Sequence, residues 1–407
     1  MKIKARVARH LSCRLTVLLV LVVVALPGMV LSTTFIAARA TLSANDISAP
    51  EGIVVSAETG DVLWEKNATS QRAMASTTKI MTGLIAIECS QQPLPMYCSR
   101  SAKRNFTLDE VVEVGQNPQT VSGSLMNGCS RNYEMRCAQN SSLRKGERLT
   151  LLNLLHGMLL PSGNDAATAV AEFIACGNSP LINNGTVCVT NFVHLMNERA
   201  VADDLLLNNT RYQNPYGHDA RGHFSTAYDL AKLARVALRN PTFASIVRTF
   251  RYNLQSLGPN GQVKDYPLRN LNRLLDDDRN TSGWRYTGAN GVKTGTSRAA
   301  GLCLVSSVML EGKLIIAVVL GSTNNNRYRD STKLLDYGSH VVIISEFSSP
   351  ILAAFIAVLG VVLSFCVWTV WDGRRNLNRQ VDHRSNCVCA AMQGWLVASG
   401  VVFGVYG

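Results

Sequence analysis

Strand-like segments stand at both ends of the central region of this chain, and helix-like segments fill the space between them. Gly52 to Ala57 and Val62 to Glu65 are short apolar runs joined by Glu58-Thr59-Gly60-Asp61. Near the other end come Gly291 to Gly295, Gly301 to Val308 and Lys313 to Leu320, the last two joined by Glu311-Gly312. Turns this short connect antiparallel neighbours, since a parallel pair needs a crossover of a dozen or more residues. The pattern therefore predicts an α/β layered domain, an antiparallel sheet flanked by helices. Helices are expected from Ser76, across Thr150 to Leu160 with Thr150 as cap, from Asp165 to Ala175, from Ser225 to Leu238 before Pro241, and from Asp330 to Tyr337.

Three short motifs are spread along this frame in a fixed order: Ser76-Thr77-Thr78-Lys79, Ser162-Gly163-Asn164 and Lys293-Thr294-Gly295. They supply a hydroxyl with an adjacent amine, a second hydroxyl with an amide, and a cationic strand edge suited to a carboxylate. That equipment suits acyl transfer through a serine. Decoys share the spacing: Ser142-Leu143-Arg144-Lys145, Ser130-Arg131-Asn132 and Ser322-Thr323-Asn324. Context separates them. Ser76 opens the apolar run Ile80 to Ile87, so Lys79 lies one helical turn along on the same face. Ser142 to Lys145 instead leads through a polar stretch into Gly146. Ser162-Gly163-Asn164 falls in the short connection between two apolar helices, where rigid neighbours present the side chains. His156 and His223 read as structural, and no His/Cys/Asp/Glu spacing suggests a metal or other cofactor.

The formal charge of +12 over 407 residues raises the question of nucleic acid. Lys2, Lys4, Arg6, Arg9, Arg14 and Arg39 crowd into the first forty residues, where there is no acid, so much of the surplus is a targeting flank. No basic stripe interleaved with aromatics follows, which argues against a nucleic-acid partner. Behind the basic flank Thr16 to Leu26 is apolar, with Ala38-Arg39-Ala40 beyond it, so residues 1–40 read as a signal peptide or a retained signal anchor. Pro350 to Trp371 is long enough to span a bilayer and is followed by Arg374, Arg375 and Arg379. The expected organisation is a catalytic domain over 48–340, a stalk from Gly338, a transmembrane helix over 350–371 and a tail over 372–407. Basic flanks before the first apolar segment and after the second place the domain outside the cytosol, close to its membrane. The stretch Cys387 to Gly407 is left open between a second span, a surface helix and a loose tail.

Cysteine placement agrees with an oxidising compartment. Cys89 and Cys98, Cys129 and Cys137, and Cys176 and Cys188 are local pairs, each bracketing a polar segment, and predict three short-loop disulfides. Cys303 sits in an apolar strand pattern and reads as buried. Asn67, Asn105, Asn140, Asn184, Asn208 and Asn280 are glycosylation sequons that permit a secretory route.

The ordered motifs resemble those of the low-molecular-mass penicillin-binding proteins that are serine-type D-alanyl-D-alanine carboxypeptidases. The resemblance runs from about Ile53 to Gly338 and is carried by Ala75 to Thr82, Leu160 to Ala167, Asn214-Pro215-Tyr216-Gly217, Gly222 to Thr226, Gly291 to Thr296 and Lys333 to Gly338. It implies a fold like that of serine β-lactamases and transpeptidases, with a helical lobe beside the sheet. It also implies Ser76 as nucleophile, Lys79 and Ser162 as its catalytic partners, and Asn164, Lys293, Thr294, Gly295 and Thr296 as residues that hold the peptide. By register Arg327 receives the terminal carboxylate, with Arg329 the alternative. The substrate implied is a D-Ala-D-Ala-ended muropeptide of peptidoglycan, with β-lactams as covalent inhibitors. The chain departs from the family in its three cysteine-bracketed segments, which look like insertions, and in having the apolar stretch where a small β domain often follows. A DD-endopeptidase, a β-lactamase, and a catalytically silent surface protein on the same fold are the alternatives.

Overall fold

The first strands of the domain pair with its last one. A computed structural model describes residues 41–101, 105–127, 143–178, 185–277, 283–324 and 326–342, with Ser364. All but Ser364 belong to one unit that ends at Ile343. In chain order the elements are β1 (Glu51–Ser56), β2 (Val62–Lys66), α1 (Lys79–Glu88), α2 (Met96–Ser101), β3 (Val111–Glu113) and α3 (Gln116–Thr120). Then come β4 (Arg148–Thr150), α4 (Leu151–Leu159), α5 (Asn164–Cys176), α6 (Gly185–Ala200), α7 (Ala227–Arg239) and α8 (Pro241–Arg248). Strands β5 (Arg251–Leu257), β6 (Val263–Arg269), β7 (Ala289–Ser297), β8 (Gly301–Leu310) and β9 (Lys313–Ser322) follow. The last helix, α9, runs over 326–342.

The main sheet has the order β2-β1-β9-β8-β7 and is antiparallel throughout, with Ile53 opposite Glu65 on one side and Val318 on the other. Every residue of β1 is buried, so both faces of the sheet are covered. Alternation does the sorting. Ile53, Val55, Val305, Ile316 and Val318 face the large core shared with the helices, while Val54, Leu304, Ile315, Ala317 and Val319 pack on Leu334 and Leu335 of α9. At the centre of the helical side α1 is buried from Lys79 to Ile87, apolar almost all round as a core helix must be. Helix starts follow their caps: Thr150 Oγ1 accepts from the N–H of Asn153 at 3.2 Å, and Thr226 Oγ1 from that of Asp229 at 3.0 Å.

Several features depart from the sequence reading: α2, α3, α6 and α8 are helices it did not anticipate, and α1 begins at Lys79, after a 3-10 turn, instead of at Ser76. A second, four-stranded sheet of order β3-β4-β5-β6 exists, and its β5–β6 hairpin was not expected. Arg251 to Leu257 carries few apolar residues, because the outward positions Arg251, Asn253 and Gln255 are wet and only Leu254 and Ser256 are buried. The closing helix also starts earlier and ends later than Asp330 to Tyr337, so Gly338 to Val342 is helix and not stalk.

Disulfides join Cys89 to Cys98 and Cys176 to Cys188, with Cα–Cα separations of 5.4 and 5.8 Å. Cys129 and Cys137 lie outside the described residues, as do the N-terminal segment, the expected span over 350–371 and the tail. Among the described residues no helix is long and apolar enough to cross a membrane. Cys303 is a buried free thiol. Asn67, Asn105 and Asn208 are exposed, and the other three sequons lie outside the described residues.

Candidate active site

Ser76 sits in a 3-10 turn, Ala75–Thr78, that feeds directly into α1. The Ser-Thr-Thr run favours such a turn because hydroxyls of this kind bond to nearby backbone. Thr77 Oγ1 donates to the Met74 carbonyl at 2.7 Å and Thr78 Oγ1 to that of Ala75 at 2.8 Å. Ala75 itself holds a left-handed φ of 46°. A second non-glycine residue with left-handed backbone is Ser162, φ 68°, in the tight link between α4 and α5. Gly163 beside it has no room for a Cβ, which would lie 2.8 Å from the Gly157 carbonyl oxygen and 2.9 Å from Met126 Cα.

Lys79 is completely buried yet bonded in three directions. Its Nζ lies 3.0 Å from Ser76 Oγ, 2.7 Å from Asn164 Oδ1 and 2.6 Å from the Tyr216 carbonyl oxygen. Burial, followed by the positive charge of Lys293, drives its pKa well below the ordinary value, and Asp165 opposes the shift. Lys293 is itself buried, and burial together with the Arg327 guanidinium lowers it to about 7. An amine so placed can be neutral near neutrality. Ser76, half-buried, remains open to a substrate.

Asn164 is engaged at both ends of its amide. Its oxygen accepts from Lys79, and its Nδ2 donates one hydrogen to the Ser122 carbonyl at 2.7 Å, leaving a second. Asn164 thus orients the lysine. Gly123, φ +90°, passes so close that a Cβ would stand 2.5 Å from Asn164 Nδ2. Next to it the buried Asp165 carboxylate accepts the N–H groups of Met126, Leu143 and Ala166 at 2.8, 3.2 and 2.9 Å. One carboxyl therefore holds both flanks of the Cys129–Cys137 region. The Ser162 hydroxyl is buried and is not among the acceptors of Lys79.

Lys293, Thr294 and Gly295 lie on β7, the end strand of the main sheet. A Cβ on Gly295 would stand 2.9 Å from the Met74 carbonyl oxygen, so glycine lets the strand approach the serine turn. Arg327, from the first turn of α9, donates to the Gly295 carbonyl at 3.1 Å and to Thr296 Oγ1 at 3.0 Å. Arg329 is exposed, so Arg327 is the arginine that reaches this strand.

Sequence reasoning gave no role to the loop that closes the back of the site. Asn214 Oδ1 accepts from the N–H groups of Tyr216, Gly217 and His218 at 3.3, 2.7 and 2.9 Å, which turns the Tyr216 carbonyl towards Lys79. Gly217, φ +90°, packs against Ala75 and Ser76, where a Cβ would collide with the Ala75 carbonyl. Asn214 to Gly217 entered the sequence reading only as part of the resemblance, which cannot reveal where a backbone carbonyl points. The Gln213 N–H donates to His223 Nδ1 at 2.9 Å, which fixes the proton on Nε2, and Nε2–H donates to Thr78 Oγ1 at 2.9 Å. Burial holds His223 down to about 4, so it is a neutral strut. His156 stacks on Tyr252 and bonds the Leu152 carbonyl. Of the decoys, Lys145 is exposed, and Ser130, Asn132 and Ser142 lie outside the described residues.

The sequence pattern of the family described as D-alanyl-D-alanine carboxypeptidase, peptidase S11, fits residues 38–324. A D-alanyl-D-alanine carboxypeptidase of Streptomyces sp. (strain K15) is 31% identical over 295 residues, 72% of this chain and 87% of that protein. DacF of Bacillus subtilis (strain 168) is 31% identical and DacD of Escherichia coli (strain K12) 30% identical, over 71% and 72% of this chain. The chain covers 61% and 63% of those two proteins, less than two thirds of their length. Among solved structures the Streptomyces K15 DD-transpeptidase superimposes with a TM-score of 0.59 at 30% identity, covering 72% of this chain and 98% of that one. The chain belongs to the D-alanyl-D-alanine carboxypeptidase family of serine peptidases.

Proposed function

We propose that the domain over 48–340 releases the terminal D-alanine from D-Ala-D-Ala-ended peptides of the peptidoglycan type, through an acyl-enzyme on Ser76. The observation that carries this reading is the 3.0 Å contact between Ser76 Oγ and a buried Lys79 whose pKa is lowered. In the neutral state Lys79 takes the Ser76 proton as Oγ attacks the carbonyl carbon of the penultimate D-alanine. The N–H groups of Ser76 and Thr296 take up the developing oxyanion. The proton on Lys79 then passes to the departing amine, with Ser162 as relay, and the carbon–nitrogen bond breaks. Water completes the cycle: Lys79 removes its proton, hydroxide adds to the ester carbonyl, and Ser76 Oγ leaves with that proton.

The substrate lies along the open edge of β7 as an added strand. Its terminal carboxylate meets Arg327 and Lys293, and its amide oxygen meets the second Nδ2 hydrogen of Asn164. β-Lactams are covalent inhibitors of the same serine. We place the domain outside the cytosol, held by a span over 350–371; what supports this is the pair of disulfides and the charge flanks of the two apolar segments.

Because the K15 neighbour is named a DD-transpeptidase, transfer of the acyl group to an amine is the second reading. Incubating the purified protein with a D-Ala-D-Ala pentapeptide, with and without an amine acceptor, tests both. Free D-alanine with hydrolysed tetrapeptide is expected, and a tetrapeptide–amine product would favour transfer. Neither product, from protein that folds, would leave only a recognition role.

A further inference from the structure

The loop from Gln213 to His223 touches both walls of the cleft. On the nucleophile side the Pro215 carbonyl accepts from Thr82 Oγ1 at 2.6 Å, the Tyr216 carbonyl accepts from Lys79, and His223 bonds Thr78. On the substrate-strand side Asp219 makes the connection. Asp219 Oδ1 accepts from Ser297 Oγ at 2.6 Å and Oδ2 from the Ala299 N–H at 3.0 Å. Ser297 Oγ in turn accepts from the Ala300 N–H at 3.0 Å. Ser297 is the last residue of β7, and Ala299 and Ala300 form the turn into β8.

We propose that Asp219 is a positioning residue for the substrate strand: its bidentate hold on Ser297 and Ala299 fixes the outer end of β7, so that the edge at Thr294 to Thr296 keeps its register to Ser76. This rests on the peptide reading above, since it concerns the strand along which the peptide lies. Three physical points carry it. β7 is an edge strand, and at its Ser297 end it is paired on one side only, with Gly301 of β8, so nothing in the sheet holds its outer side. The tie here consists of hydrogen bonds to a carboxylate, the strong class. And the tie comes from the loop that also fixes Lys79, so one eleven-residue segment sets the distance between base and strand. Lys79 bonds Ser76, Asn164 and Tyr216 and not Asp219, so loss of Asp219 weakens peptide binding and leaves the proton transfer intact.

The test compares D219A, D219N, S297A and D219A/S297A with the wild type. For D219A the KM for a D-Ala-D-Ala pentapeptide is expected to rise about tenfold, the scale of one charge-assisted hydrogen bond, with kcat within about threefold. Asparagine keeps the geometry, accepting from Ala299 and donating to Ser297, so D219N is expected to restore most of the binding. The double variant is expected to be no worse than the poorer single one, since both break one tie. Hydrogen exchange at the Thr296 to Ala300 amides should quicken in D219A and not in D219N. Unchanged KM and exchange in D219A, or additive losses in the double variant, would overturn the role of Asp219. Acylation by benzylpenicillin on the same proteins separates the two claims. A wild type that takes the β-lactam but releases no D-alanine overturns the peptide reading, and exchange and β-lactam acylation then decide the Asp219 tie.

Discussion

The Nζ of Lys79 stands 2.6 Å from the carbonyl oxygen of Tyr216, and this contact sets the polarity of the whole site. Tyr216 O and Asn164 Oδ1 can only accept, so they take two N–H groups of the amine. The remaining direction points at Ser76 Oγ, 3.0 Å away. When Lys79 loses a proton, its lone pair must therefore face the one partner that can donate. Two carbonyl oxygens thus aim a base.

That arrangement depends on Gly217. Any side chain there meets the Ala75 carbonyl and stands 2.8 Å from Ser76 N, and the φ of +90° disfavours an L residue as well. G217A is expected to cost about 2–4 kcal/mol of stability. The folded fraction should also lose acylation, because the displaced turn carries Ser76. Denaturant unfolding together with penicillin labelling checks this; wild-type behaviour in both would show that the loop does not press on the nucleophile.

A pH profile reports on the lysine pair. Acylation rises with pH as Lys79 becomes neutral, and falls again as Lys293, lowered to about 7, loses the charge that holds the substrate carboxylate. Arg327 is one cause of the lowered value, so removing it lets the Lys293 pKa rise. The alkaline limb of kcat/KM in R327A is expected about half a unit to one unit higher than in the wild type, alongside a raised KM. A limb that stays in place, or moves down, would detach it from Lys293.

Glu172 lies in the core, 2% exposed, and burial pushes its carboxyl up to about 7, against an ordinary 4.5. Between those values the folded state holds a proton that the unfolded chain has released, so stability falls as pH rises through the window. E172Q removes that dependence. At pH 8 it is expected to stabilise the domain by about 1 kcal/mol or more, with little change at pH 4. Thermal unfolding at the two pH values measures it, and an equal Tm shift at both would assign the effect to packing instead of ionisation.

Much of this was legible in the chain. The apolar run after Ser76, the cap at Thr150 and the hairpin at Glu311-Gly312 are local signals, and their elements form where those signals lie. Ser76 and Lys79 could be paired from helical spacing alone, and Asn164 and Lys293 from motif order. The β5–β6 hairpin was hidden because its apolar positions are few and its outer face is solvated. Tyr216 and Ser122 were hidden for another reason: both act through backbone carbonyls, which every residue has. Asp219 sits 78 residues from Ser297, and only the folded chain brings them together.

The most direct test of the central claim is intact mass of the protein after benzylpenicillin, with peptide mapping of the adduct. One penicilloyl group on the peptide containing Ser76, and none on S76A, is the expected result. An adduct that persists in S76A, or that maps to another serine, would contradict the account.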